Sequence, residues 1–176
     1  MVSFQHYKGL KMKNKFKHYI KEIITFGFFL FIATNAISLY KSSNLLKEPY
    51  PLKTLKLIDN TQFTFDTKKP LLLHFWATWC PICKAEASNI DAISKKYQVI
   101  TIAVKSGDKR DIERYMKKNN LHFKVYNDKD GLLAKKFHLA AYPTTFVYNK
   151  EKELSFSDVG YSSTWGLKLR LWWSSF

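Results

Sequence analysis

The only two cysteines of the chain, Cys80 and Cys83, are separated by Pro81 and Ile82. Sulfurs this close in sequence cannot staple distant parts of a fold, because a disulfide framework needs several separated pairs closing long loops. They also fall short of a structural zinc site, which takes four ligands and would need a second CxxC or a paired-histidine motif. His6, His18, His74, His122 and His138 lack that spacing, so no metal site is expected. The pair is either a local reactive couple or inert. Disulfide exchange needs a thiolate, and a free cysteine with a pKa of about 8.5 is mostly protonated at neutral pH. A CxxC at the start of a helix answers this, since the first sulfur then meets the positive end of the dipole and unsatisfied backbone N–H groups. The second sulfur lies one turn deeper. In that arrangement Cys80 is the attacking nucleophile and Cys83 the thiol that resolves the mixed disulfide.

The surrounding pattern supplies the elements such a pair requires. Leu71–Trp76 is an apolar run interrupted only by His74, which suits a central strand buried on both faces. Pro81 suits a first helical position, and Ala85, Ile90, Ile93 and Tyr97 fall near a helical stripe. Val99–Val104 reads as a second buried strand. Asp108 with Asp111 marks a helix start, followed by Ile112, Tyr115 and Met116 on one face. Phe123–Tyr126 is expected as a strand, Asp128–Gly131 as a turn, and Leu132–His138 as a helix.

Thr144–Tyr148 and Leu154–Val159 form a hairpin pattern around a polar turn. The tail from Ser163 to Trp173 fits a strand by Leu167, Leu169 and Leu171, or a helix by Trp165, Leu169 and Trp172. Helix is preferred, capped by Ser163 or Thr164. Upstream, Leu55–Ile58 and Gln62–Phe65 flank Asp59–Asn60–Thr61, a small hairpin signal. Alternation of this kind implies an α/β sheet with helices on both faces, parallel leading strands and an antiparallel closing edge.

The net charge of +15 raises the question of a nucleic-acid or membrane partner. Lys8, Lys11, Lys13, Lys15, Lys17 and Lys21 precede the uncharged run Ile23–Tyr40, whose length fits the short end of a membrane span. Positive flanks stay in the cytoplasm, so the N-terminus is expected inside and the remainder outside. A cleaved signal peptide is the alternative, with Thr34 and Ala36 at the small-residue positions. The other lysines are scattered among acids with no nucleic-acid signature. The expected organisation is a basic leader over 1–22, an anchor over 23–40, a linker over 41–51 and one domain over 52–176.

The segment Phe75–Trp76–Ala77–Thr78–Trp79–Cys80–Pro81–Ile82–Cys83–Lys84 resembles the active-site segment of thioredoxin-like proteins of the membrane-anchored TlpA/ResA/DsbE type. The resemblance continues through Ser106–Gly107–Asp108, Asn127–Asp128, Tyr142–Pro143–Thr144–Thr145–Phe146 and Tyr161–Leu167. The tail Leu167–Trp173 is similar to that of the copper-sensitivity-suppressor, ScsD-like subgroup. The resemblance implies a thioredoxin fold and a cis peptide bond at Pro143, opposite the cysteines. With it come substrate-binding roles for Trp79, Pro81, Tyr142, Pro143 and Thr144. Glu86 matches an acid that the family sets near the buried thiol, where it could take the Cys83 proton; a helix-surface glutamate is the other reading.

Two departures stand out. His74 occupies the position of the buried acid of thioredoxins, as a hydrogen-bonded core residue or as a proton shuttle. Alanines before Pro143 replace the glycine-rich run of dedicated cytochrome-c-maturation proteins, which weakens an apocytochrome assignment. The resulting expectation is an inner-membrane, single-pass protein with its catalytic domain in the periplasm. It would reduce client disulfides with electrons from a transmembrane thiol donor, and with no cofactor beyond the Cys80–Cys83 disulfide. The rivals are the same fold run as an oxidase, and a non-catalytic module binding apocytochrome or copper proteins.

Overall fold

The computed structural model describes residues 18–30, 32, 33, 36, 45, 50 and 54–176. The chain divides into two compact units, Met1–Ser38 and Leu39–Phe176. In the first, residues 18–30 are helical and exposed. The expected leader over 1–22 and linker over 41–51 lie largely outside the described residues, and of the span Ile23–Tyr40 residues 31, 34, 35 and 37–40 do. Among the described residues, no helix is long and apolar enough to cross a membrane.

The first described element of the second unit is an antiparallel hairpin, β1 (Thr54–Lys56) and β2 (Gln62–Thr64). Asp59 accepts the Thr61 N–H at 2.9 Å within its turn. A five-stranded sheet follows, built from β3 (Leu71–Trp76), β4 (Gln98–Val104), β5 (Val125–Asp128), β6 (Thr144–Tyr148) and β7 (Leu154–Val159), in the spatial order β5-β4-β3-β6-β7. β3, β4 and β5 run parallel, whereas β6 and β7 are antiparallel to their neighbours. The closing hairpin therefore does not simply extend an edge: β6 enters the sheet beside β3, and only β7 is left at the rim.

Among the described residues of the unit, four helices accompany the sheet: α1 (Pro81–Ser94), α2 (Lys109–Lys118), α3 (Leu132–Lys136) and α4 (Thr164–Trp173). Side chains alternate across a strand, so β3 feeds two cores. Leu71, Leu73 and Phe75 pack with Phe137, Phe146 and Tyr148, while Leu72 and Trp76 pack with Ile90, Ile93, Leu167 and Leu171. Each wholly buried isoleucine or leucine contributes roughly 1.5–3 kcal/mol. The second core binds α1 and α4 to the same face of the sheet.

Three expectations shift. β5 starts two residues later than the Phe123–Tyr126 pattern, because Phe123 is buried by its contact with the Trp76 ring, 5.7 Å away, and not by pairing in the ladder. On α1 the inward face consists of Cys83, Glu86, Ala87, Ile90, Asp91 and Ile93; Ala85 is exposed and Tyr97 lies past the helix end. The third helix stops at Lys136, short of His138, whose φ of 53° is left-handed. The tail is a helix, capped by Ser163, whose hydroxyl accepts the Gly166 N–H at 3.2 Å. The capping box of Asp108 and Asp111 on α2 is present as expected.

Candidate active site

Cys80 is the N-cap of α1, in extended conformation, and Pro81 begins the helix without an N–H to satisfy. The Cys80 sulfur accepts the Cys83 N–H at 3.1 Å. One of the orphan donors of the helix start is thus spent on the sulfur that must become a thiolate. Cys80 and Cys83 form a disulfide and are both buried. The loop ahead of them is tied to the end of β4. The Thr78 N–H donates to the Ser106 hydroxyl at 3.0 Å, and the Trp79 indole donates to the Lys105 carbonyl at 3.1 Å.

The opposite wall comes from the entry to β6. The Tyr142–Pro143 bond is cis, as the resemblance implied, and the Tyr142 carbonyl oxygen lies 3.7 Å from the Cys80 sulfur. The Trp79 and Tyr142 rings meet edge to face at 5.8 Å. Trp79 is 59% exposed and Ile82 51%, so the rim of the site is apolar and open. Thr144 is buried, its hydroxyl donating to the Ala141 carbonyl at 2.8 Å. Its side chain braces the loop while Trp79, Pro81 and Tyr142 form the accessible lip.

Glu86, one helical turn beyond Cys83, is fully buried. Its Oε1 accepts the Ser162 N–H at 3.1 Å, while Oε2 is buried without a hydrogen-bond partner. Burial pushes its carboxyl up to about 8; Asp158 also raises it, and the Ser162 N–H and Arg170 act in the opposite sense. His74, on β3, is buried too, with Nδ1 2.9 Å from the Thr145 hydroxyl on β6. Desolvation holds its imidazole down at about 3, so it is neutral at any working pH.

The pair Cys80–Cys83 and the residues Trp79, Tyr142 and Pro143 are brought together as the sequence suggested. Sequence reasoning missed the contacts of Ser162, Asp158 and Arg170, which reach Glu86 from the loop after β7, from β7 itself and from α4. Among the described residues, no cluster of histidine, cysteine, aspartate and glutamate could hold a metal ion.

The family model described as AhpC/TSA matches residues 47–157. The chain belongs to the AhpC/TSA family. It is 32% identical over 164 residues to a thioredoxin-like protein of Haemophilus influenzae, covering 89% of this chain and 98% of that one. It is 27% identical over 114 residues to the sporulation thiol-disulfide oxidoreductase A of Bacillus subtilis, covering 60% and 69%. Among solved structures, StoA from Bacillus subtilis matches with a TM-score of 0.59 and 25% identity, over 72% of this chain and 98% of that one. The expected thioredoxin-like fold and enzyme class are borne out: this member of the family is a thiol–disulfide oxidoreductase.

Proposed function

We propose that the protein reduces disulfides in client proteins outside the cytoplasm. The observation that carries this reading is the Cys80 sulfur at the α1 N-cap, receiving the Cys83 N–H, with a buried carboxyl one turn beyond Cys83. In the reduced enzyme the Cys80 thiolate attacks a client disulfide, a new S–S bond forms to one client sulfur, and the other leaves as a thiolate. Glu86 then accepts the Cys83 proton, and the Cys83 thiolate attacks the Cys80 sulfur. The second client thiolate leaves, and Cys80–Cys83 closes as a disulfide. Two electrons pass to the client, and a dithiol carrier in the membrane restores them to the enzyme.

The reducing direction rests on what surrounds the sulfurs. A pair becomes oxidising when its thiolate is over-stabilised. Here Cys80 gains one backbone N–H and the helix dipole, and Ile82 offers no side-chain donor. Glu86 carries its charge reluctantly, and when ionised it disfavours a second negative charge at Cys83. Clients dock on the lip of Trp79, Pro81 and Tyr142 and pair through their backbone with Tyr142, just ahead of the cis bond, because the Pro143 carbonyl and the Thr144 backbone are already engaged within the sheet. Ile23–Tyr40 anchors the chain, with the lysines before it inside and the domain in the periplasm.

A membrane-impermeant thiol reagent, applied to intact and otherwise untreated cells, tests compartment and direction together. A periplasmic reductase is held reduced by its donor, so the reagent should modify its cysteines directly. Labelling that requires prior reduction would mean an oxidase, and labelling only after lysis would put the site in the cytoplasm.

A further inference from the structure

The C-terminal helix reaches the redox site through a short chain of polar contacts. Ser162, buried in the loop between β7 and α4, uses both of its donors. Its N–H goes to Glu86 Oε1 at 3.1 Å, and its hydroxyl to Asp158 Oδ2 at 2.7 Å. Arg170 Nη1 stands 2.9 Å from the same Asp158 oxygen and donates to the Ser162 hydroxyl at 3.4 Å. Asn89, on α1, ties down the same loop. Its amide donates to the Tyr161 hydroxyl and the Ser162 carbonyl, each at 3.0 Å, and its carbonyl oxygen accepts from the Thr164 hydroxyl at 3.0 Å.

We propose that Arg170 and Asp158 are positioning residues for disulfide exchange: acting through Ser162, they fix the Glu86 carboxyl and set the pH at which it can take the Cys83 proton. The proposal rests on the reading of Glu86 as proton acceptor given above. Charge reaches Glu86 from three elements. Asp158 on β7 opposes its ionisation, Arg170 on α4 favours it, and on α1 itself the Cys83 thiol is the group to be deprotonated. The Ser162 N–H adds a favourable dipole. Arg170 and Asp158 are partners, so each partly cancels the field of the other at Glu86.

This gives a signature with opposite signs. Removing Arg170 leaves Asp158 uncompensated, so Glu86 holds its proton to higher pH and is a poorer base near neutrality. Removing Asp158 frees Arg170 to favour the carboxylate, so Glu86 ionises at lower pH. A clamp with only a structural role predicts the same direction for both, since either substitution breaks the same ion pair.

The test is single-turnover exchange by the reduced full chain with an aromatic disulfide whose two thiolates are coloured on release. The first release reports attack by Cys80 and the second reports resolution by Cys83. Across the neutral and mildly alkaline range, Arg170→Gln should move the rising limb of the second step up by about half a pH unit, a roughly threefold slowing below the limb. Asp158→Asn should move it down, Arg170→Lys should restore it, and the double substitution should return it towards the wild-type position. Shifts of equal sign for the two single variants, or no shift in either, would overturn the proposal. If Glu86→Gln keeps the limb in place, the proton-acceptor reading itself fails, and the proposal with it.

Discussion

Two ionisable side chains are buried close to the middle of the domain, and burial sends them opposite ways. Glu86 on α1 and His74 on β3 both lie within the core. Desolvation penalises the charged form of each. For the acid this raises the carboxyl to about 8, into the range where an enzyme works; for the base it lowers the imidazole to about 3, out of that range. The same physical cause therefore lets one group exchange a proton near neutral pH and makes the other a neutral hydrogen-bonding spacer between β3 and β6. The partners reinforce the contrast. His74 meets a neutral hydroxyl on Thr145. Glu86 has one oxygen on a backbone N–H, the other unpartnered, and an ion pair within reach of its field.

The largest effect expected from breaking this contrast is kinetic. In single-turnover exchange, Glu86→Gln should slow the second thiolate release on the order of 10²-fold near pH 8, the low end of general-base contributions. The first release should be nearly unchanged. His74→Asn should leave both steps unchanged, and Cys80→Ser should abolish the first. A large defect in His74→Asn with none in Glu86→Gln would reverse the assignment.

A second effect concerns stability. The folded Glu86 carboxyl titrates near 8 against an ordinary value of 4.5, so between these limits the folded state binds more protons than the unfolded one. Stability then falls as pH rises through that window, by about 3 kcal/mol at pH 7. His74 titrates near 3 when folded against an ordinary 6.5, so the unfolded state takes up the proton first. Stability falls as pH drops below about 6.5. The two slopes oppose each other where the windows overlap, so the denaturation midpoint of the oxidised protein should be flat between about pH 4.5 and 6.5 and fall on both sides. Glu86→Gln should flatten the alkaline side and His74→Asn the acid side. A denaturant midpoint in Glu86→Gln with the same alkaline decline as wild type would break the argument.

Much of this was legible in the residues alone, and the exceptions have physical reasons. The CxxC at a strand-to-helix junction, the central strand Leu71–Trp76 and the closing strands follow from local pattern, because each element's apolar period agrees with its burial. The direction of Glu86 did not follow. A hydrophobic stripe through α1 favours Ala85 as the inward residue, whereas the structure exposes Ala85 and buries its charged neighbour. Periodicity reads the apolar majority and passes over a single polar residue on the buried face. The contacts of Glu86 were further out of reach. Ser162 lies 76 residues away in sequence, and the Asp158–Arg170 pair meets it only because α4 docks on α1 through Leu167 and Leu171 in the shared core. β5 was displaced for a related reason: Phe123 satisfies the apolar pattern from a loop, against Trp76.

The most direct measurement is the ionisation of Glu86 itself. Carboxyl carbon resonances of the oxidised full chain, with Glu86 assigned by its loss in Glu86→Gln, can be followed through a pH titration. A midpoint near 8, moving up in Arg170→Gln, is the predicted result; a midpoint near the ordinary glutamate value of about 4.5 would contradict it.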